Sequence, residues 1–300
     1  MTHYSDALKA HLAAYKRERL GVAENGVWRG NDKPYGHILP ELLQKLNIIE
    51  TFRREFWSFY DLNKETVGLH TDFHHLNSSQ AFAFNLFFPW MASANAQGEL
   101  MTAIGSGDRS INAWHFEHVP DQFERTSVDF FGEFVDGGRL FVEVKLTEAH
   151  FGAAMPDEAH RNKLRDTYTE RLTEKVTPSA LEESNFFLNY QLFRNVSHLD
   201  LGKRDTLLLL LPRANRLTWD QGVAFREKSL SGHCQGAVRL VATEDLLSAL
   251  AKSESPLLRT HATLLAEKYL LDANVGILPV KAESLIDVQP VLRPTRDGQT

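Results

Sequence analysis

The chain has 300 residues, of which 43% are hydrophobic and 24% are charged, and its formal net charge is −6 at pH 7. This composition is that of an ordinary globular protein with a sizeable core, and no run approaches the roughly 20 apolar residues of a membrane span. The single cysteine, Cys234, excludes an intramolecular disulfide and a cysteine-based zinc cluster, and it is consistent with a cytoplasmic location.

Hydrophobic periodicity and turn residues predict helices and strands in a mixed order. After a helix at 4–20 and a loop at 21–36, the predicted helices lie within 38–60, at 77–89, within 92–109, and at 157–175, 180–197, 243–252 and 256–272. The predicted strands lie at 111–119, 127–135, 139–147, 207–211 and 237–242. This order fits an α/β fold, a mixed central β-sheet flanked by helices.

The domain organisation follows from the same pattern. Residues 1–76 are predicted to form an N-terminal helical extension that packs on a core domain at 77–290. The polar residues 291–300 are expected to be a disordered tail. No internal repeat and no clear linker divide the chain further.

The second and third strands are predicted to form one hairpin, because an Asp-Gly-Gly turn at 136–138 supplies positive φ angles. If the turn centres on Gly137, Asp129 lies opposite Lys145; a one-residue shift changes these partners but keeps Glu143 grouped with Lys145. Side chains alternate between the faces of a strand. One face then carries Val128, Phe130, Phe134, Leu140, Val142, Val144 and Leu146. The other face carries Asp129, Glu133, Phe141, Glu143 and Lys145.

This group of side chains suits metal-assisted hydrolysis of a phosphodiester. Asp129 and Glu143, with the carbonyl of Val144, offer the oxygen ligands that Mg²⁺ or Mn²⁺ prefers, and Lys145 could position or deprotonate a water. The alternative is an ordinary cross-strand ion pair on a half-exposed hairpin. The apolar flanking residues favour the metal site, because charges embedded in such strands need a metal or a partner.

Asp129 followed by Glu143-Val144-Lys145 resembles the PD-(D/E)xK, or restriction-endonuclease-like, nuclease superfamily. Four further segments resemble one bacterial branch of it: 35–40, 77–87, 111–117 and 190–195. Ser127-Val128 stands where the nominal motif has proline, a position that is commonly replaced. The resemblance implies a restriction-endonuclease-like fold, metal ligation by Asp129 and Glu143, and a catalytic role for Lys145. It further implies that Gln191 supports the active site.

Four other residues are candidate supporting or substrate-binding groups. Arg194 lies at helical spacing from Gln191 and could clamp a phosphate oxygen, although both are also compatible with a plain helix surface. Gln80 and Asn85 lie in an otherwise apolar predicted helix, where buried amides would need partners. Glu117 could supply a third acidic group to the metal site.

The histidines at 70, 74 and 75 lack a third ligand with matching spacing, so they are predicted to be a packing or surface cluster. A net negative charge argues mildly against binding to nucleic acid, but acids clustered for a metal count towards the total and local basic stretches exist, so the charge leaves this hypothesis open. No glycine-rich phosphate loop is present, which argues against an NTPase motor.

These observations lead to two functional hypotheses. The first is a Mg²⁺-dependent deoxyribonuclease, an endonuclease acting on DNA in restriction, defence or repair, with a homodimer suggested by the resemblance alone. The second is a catalytically silent module on the same fold that binds nucleic acid or acts as a scaffold.

Overall fold

A computed structural model describes residues 4–121, 124 and 126–271 of the chain. The predicted tail at 291–300 and the end of the predicted core domain, 272–290, lie outside the described residues. Among the described residues, no helix combines the length and the hydropathy that a membrane crossing requires.

The helices and strands agree with most of the predicted elements. The helices are α1 (Tyr4–Glu18), α2 (Arg53–Asn63), α3 (Ser79–Met91), α4 (Gln97–Ala103), α5 (Glu158–Lys163), α6 (Thr169–Leu172), α7 (Glu183–Leu188), α8 (Tyr190–Ser197), α9 (Arg216–Ala224), α10 (Gly232–Gln235), α11 (Thr243–Leu250) and α12 (Pro256–Tyr269). The strands are β1 (Gly26–Trp28), β2 (Lys33–Tyr35), β3 (Ile111–His118), β4 (Val128–Phe134), β5 (Arg139–Val144), β6 (Thr206–Leu211) and β7 (Val238–Ala242). A 3₁₀ helix spans Glu41–Asn47.

Five of the strands form one mixed sheet in the order β3-β4-β5-β6-β7. The pairs β3–β4 and β4–β5 are antiparallel, whereas β5–β6 and β6–β7 are parallel. Strand β6 is buried along its whole length, which agrees with its continuous apolar run. The predicted α/β fold with a mixed sheet and flanking helices is confirmed.

The sheet separates two hydrophobic clusters. On one face, Phe130, Val142 and Leu208 pack against α2, α3, α11 and α12. On the other face, Phe141 and Leu209 pack against the helices between β5 and β7. The N-terminal region contributes to the first cluster through residues such as Ile48, Phe56 and Phe73.

The hairpin register differs from the predicted one. Phe131 pairs with Phe141 and not with Glu143, so Asp129 does not lie opposite Lys145. The turn closes one residue earlier, where the amide of Gly137, at φ 85°, donates to the carbonyl of Phe134. The faces of the strands are unaffected, except that Val128 packs with the second cluster.

Further elements differ from the prediction, among them α9 and α10, which lie where no helix was predicted. The segment 21–36 is not all loop, since it contains the short antiparallel hairpin β1–β2. Pro89 lies inside α3 instead of ending it. Proline lacks the amide that would bond to the carbonyl four residues earlier, and here the Nε2 of His261 donates to that carbonyl of Asn85 at 2.7 Å.

His261 makes the stability of the protein depend on pH. Burial lowers the pKa of its imidazole from 6.5 to about 4. The unfolded chain therefore binds this proton more readily, so the stabilising effect is present above pH 6.5 and is lost as the pH falls towards 4. From pH 7 to pH 5, the free energy of unfolding should fall by about 2 kcal/mol through this group. Denaturant unfolding at several pH values measures the effect, and His261→Gln, which does not titrate, should show a shallower slope.

Candidate active site

The strand directions bring three acidic side chains to one edge of the sheet. Because β4 runs antiparallel to both of its neighbours, its first residues lie beside the last residues of β3 and β5. Asp129 is the second residue of β4, Glu117 is near the end of β3, and Glu143 is near the end of β5. Lys145 follows β5 directly. The predicted grouping of Asp129, Glu143 and Lys145 is thus what the fold produces.

Glu143 is the most constrained of the three carboxylates, with 4% of its surface exposed. Its Oε1 accepts a hydrogen bond from Nε2 of Gln191 at 2.6 Å and lies 2.9 Å from Nζ of Lys145. Its Oε2 accepts from Nδ2 of Asn195 at 3.0 Å. Both oxygens are therefore oriented by neighbours, and Gln191 contacts the carboxylate as predicted for a supporting residue.

Asn195 was not selected from the sequence as a site residue. It lies four residues after Gln191 on α8, so both side chains project from the same face of the helix. That spacing is the signal that could have identified it. The residue is buried, and its amide has the second oxygen of Glu143 as a partner.

Asp129 accepts a hydrogen bond at Oδ2 from the backbone amide of Val144 at 2.7 Å. Burial, followed by the charges of Glu143 and Glu117, raises the pKa of Asp129 well above its usual range, and Lys145 and the Val144 amide only partly offset this. The carboxylates thus repel one another in a place that solvent screens poorly. Additional positive charge at this edge would relieve the repulsion.

Lys145 is held as a cation. Burial lowers the pKa of its ammonium, but the carboxylates of Glu143, Glu148 and Asp129 outweigh burial, and the net direction is upward. Glu148, which was not selected from the sequence, lies three residues after Lys145, and its Oε2 accepts from the Leu146 amide at 2.6 Å.

Glu117 is oriented by two other parts of the chain. Its Oε1 accepts from Nε2 of Gln80 at 2.9 Å, and its Oε2 accepts from Oγ of Ser127 at 2.7 Å. Nε2 of His70 lies 3.4 Å from the same Oε2, and that contact raises the pKa of His70. Gln80 is thus a support for the third acid, and His70 belongs to this edge and not to a mere packing cluster. Glu117 itself has a φ of 51°, a region that few residues other than glycine adopt.

Two of the predicted supporting residues do not join this group. The Oδ1 of Asn85 accepts from the Ile49 amide, and its Nδ2 donates to the carbonyls of Asn47 and Ala81. Asn85 therefore ties the N-terminal region to α3. The guanidinium of Arg194 makes no hydrogen bond or ion pair with any described residue, and none of the three acidic side chains contacts it.

The chemistry of these donors fits a divalent cation. Asp129, Glu143 and the carbonyl of Val144 supply hard oxygens. Burial and repulsion by Glu143 and Glu117 raise the pKa of Asp129, and a cation would offset both effects. Within the described part of the chain, no three side chains of His, Cys, Asp or Glu are grouped to hold a metal by themselves. Mg²⁺ commonly uses one or two carboxylates and completes its shell with water and substrate phosphate.

A family model described as "Restriction Endonuclease associating with ARP" matches residues 9–270. The chain belongs to this restriction endonuclease family. The match contains the hairpin and helices α3 and α8, so it confirms the resemblance inferred from the motif and the restriction-endonuclease-like fold of the mixed sheet. Membership indicates a nuclease-related role. No curated protein and no solved structure gives a significant match to the chain.

The backbone conformation of Gly152, which packs on Gln191, can be tested by substitution. Gly152 has a φ of 96°, its carbonyl accepts from the Gln191 amide at 3.2 Å, and an added Cβ would lie 2.9 Å from Oε1 of Gln191. We expect Gly152→Ala to lower the free energy of unfolding by about 1–2 kcal/mol because of the backbone conformation alone. Denaturant unfolding measures this loss. Gly98→Ala is the control, since a Cβ there meets nothing within 4 Å, and an equal loss in both variants would contradict the argument.

Proposed function

We propose that the protein is a Mg²⁺-dependent deoxyribonuclease that hydrolyses phosphodiester bonds of DNA, as an endonuclease in restriction, defence or repair. The observation that carries the proposal is the buried Glu143, oriented by Gln191, Asn195 and Lys145 on the same edge as Asp129. A buried carboxylate with three donors at one edge, in a member of a restriction endonuclease family, supports hydrolysis more than a structural ion pair. A homodimer remains a prediction from the superfamily resemblance.

Each residue of the site has a role in the proposed mechanism. Asp129, Glu143 and the carbonyl of Val144 would hold Mg²⁺ or Mn²⁺, which supplies positive charge to the phosphate and lowers the pKa of a bound water. Gln191 and Asn195 fix the orientation of Glu143 through its two oxygens.

Lys145 contributes as a cation in this mechanism. Water attacks the phosphorus and loses a proton to solvent, the bond from phosphorus to one ester oxygen breaks, and that oxygen takes a proton from solvent. Negative charge accumulates on the phosphoryl oxygens during the attack. The Lys145 ammonium, 2.9 Å from Glu143, can donate a hydrogen bond to one of these oxygens. Because neighbouring carboxylates raise its pKa, it is a donor rather than a base in the metal-free protein.

Cleavage assays test the proposal. Wild type should cut supercoiled plasmid or single-stranded DNA with Mg²⁺ or Mn²⁺, and Lys145→Ala should lose at least about 10²-fold in rate, the usual effect of removing one donor to a developing charge. Lys203→Ala, which changes a lysine with 65% of its side chain exposed, is the matched control and should retain full activity. Full activity of Lys145→Ala would refute the mechanism.

Metal-dependent stability separates the nuclease from a silent binding module. A ligand that binds only the folded protein raises the free energy of unfolding, by about 2.7 kcal/mol at a hundred times its dissociation constant. We expect Mg²⁺ to raise the melting temperature of wild type and to leave that of Asp129→Asn unchanged. If Mg²⁺ stabilises neither protein and wild type binds DNA without cutting it, the binding module is the better description.

A further inference from the structure

The β1–β2 hairpin exposes aromatic and apolar side chains that do not pack into the core. Val27 is 45% exposed and Trp28 is 40% exposed. The Trp28 ring contacts Tyr35 edge-on, with the ring centroids 6.2 Å apart. It also covers Gly30, where an added Cβ would lie 2.8 Å from the indole. The ring is thus placed by the hairpin itself and remains open to solvent on one side.

Residues 70–77, here called the rim segment, connect two sides of the carboxylate edge. At one end, His70 lies 3.4 Å from Glu117. At the other end, Nδ2 of Asn77 donates to Oγ1 of Thr147 at 2.8 Å, two residues beyond Lys145. The rim segment therefore runs along the edge from the end of β3 to the chain that follows β5.

The hairpin is fixed to the rim segment by backbone contacts. Ile38 forms a β-bridge with His75, and the amide of Leu39 donates to the carbonyl of His74 at 3.0 Å. Nε2 of His74 lies 3.2 Å from the carbonyl of Val27. Gly26 packs so tightly on Leu39 that no side chain would fit there. The position of the Trp28 ring is consequently coupled to the edge that carries the carboxylates.

Positive charge accompanies the exposed ring. Lys33 is the cross-strand partner of Trp28, so the two side chains project from the same face of the hairpin. Among the described residues, no carboxylate pairs with the Lys33 ammonium, whereas Arg29 is already paired with Glu41. Lys9 of α1, which also has no acidic partner in the described part of the chain, adds positive charge near His37 and His75.

We propose that the β1–β2 hairpin contacts the nucleic acid substrate, with Trp28 stacked on an unpaired base and Lys33 on a phosphate of the same strand. An aromatic ring beside a cation is the combination that binds single strands, because every base has a stacking face and every nucleotide a phosphate. The proposed contact therefore requires a nucleic acid substrate with single-stranded nucleotides next to the carboxylate edge. This inference rests on the proposed nuclease function and narrows its substrate class.

Binding assays in a Lys145→Ala background, in which the substrate persists, test the inference. The measurement is fluorescence anisotropy of a labelled single-stranded oligonucleotide and of the duplex of the same sequence, with Mg²⁺. Trp28→Ala should weaken binding of the single strand by about tenfold, as expected for the loss of one base–aromatic stack, and should leave the duplex affinity nearly unchanged. Trp28→Phe should retain most of the affinity. Lys33→Ala should reduce the salt dependence of single-strand binding by about one phosphate contact.

Leu42→Ala is the matched control, because Leu42 is 97% exposed in the neighbouring 3₁₀ helix and should change neither affinity. Equal single-strand affinity with and without Trp28, or equal losses on single strand and duplex, would overturn the inference. So would a loss of self-association in Trp28→Ala, seen by light scattering at unchanged DNA affinity, which would assign the hairpin to a second copy of the chain. If the wild-type protein cuts DNA and Trp28→Ala binds DNA normally, the hairpin contact is refuted and the proposed nuclease function stands. If the protein binds neither the single strand nor the duplex, the proposed function is refuted as well.

Discussion

The gathering of Asp129, Glu143 and Glu117 at one edge of the sheet, where Lys145 pairs with Glu143, is the constraint on which the site depends. Carboxylates removed from water repel each other strongly, and a single lysine cannot satisfy three of them. Burial, together with this repulsion, raises the pKa of Asp129. Glu143, which pairs with Lys145, and Glu117 also accept hydrogen bonds from neutral donors elsewhere in the chain, and these donors stabilise the buried carboxylates.

The side-chain amides that donate to Glu117 and Glu143 belong to helices on opposite faces of the sheet. Helix α3 packs on the face that carries Phe130, and its Gln80 reaches Glu117. Helix α8 packs on the opposite face, and its Gln191 and Asn195 reach Glu143. Core packing and the polar network are therefore linked, because a shift of either helix would remove a neutral hydrogen-bond donor from a buried carboxylate. The apolar residues of α3 pack in the first cluster, while Gln80 reaches Glu117 and Asn85 bonds to the N-terminal region.

The alternation of side chains along β4 and β5 made the grouping of Asp129, Glu143 and Lys145 predictable from the sequence. The register was wrong, since Phe131 pairs with Phe141, yet the face of each side chain did not depend on it. Strand β6 was also predictable from local sequence, because a continuous apolar run indicates a strand buried on both faces. All of its residues are buried.

Features that depend on distant residues could not be predicted in this way. Pro89 continues α3 because His261 satisfies the carbonyl of Asn85, across 176 residues of sequence. The contact of His70 with Glu117 likewise needs the tertiary fold, and Asn85 proved to serve a structural junction. The strands of the β1–β2 hairpin are only three residues long, too short for periodicity to indicate them. The division at residue 76 was drawn from element order, whereas Ile48 and Phe56 share one hydrophobic cluster with Phe130.

The net charge of −6 is a weak objection to a nucleic acid substrate. The net charge of the whole chain does not describe the electrostatic field at the edge that carries the carboxylates. A phosphate approaching that edge responds to the local field. Several arginines elsewhere are neutralised locally, as in the pairs Arg54–Glu55 and Arg161–Glu183. The acids of the site count towards the total, although a bound divalent cation would offset them. Lys33 lies on the hairpin that is fixed to the rim of this edge, and no described carboxylate offsets its charge. A lysine with no carboxylate partner among the described residues thus lies on a hairpin that contacts the rim segment, even though the chain as a whole is acidic.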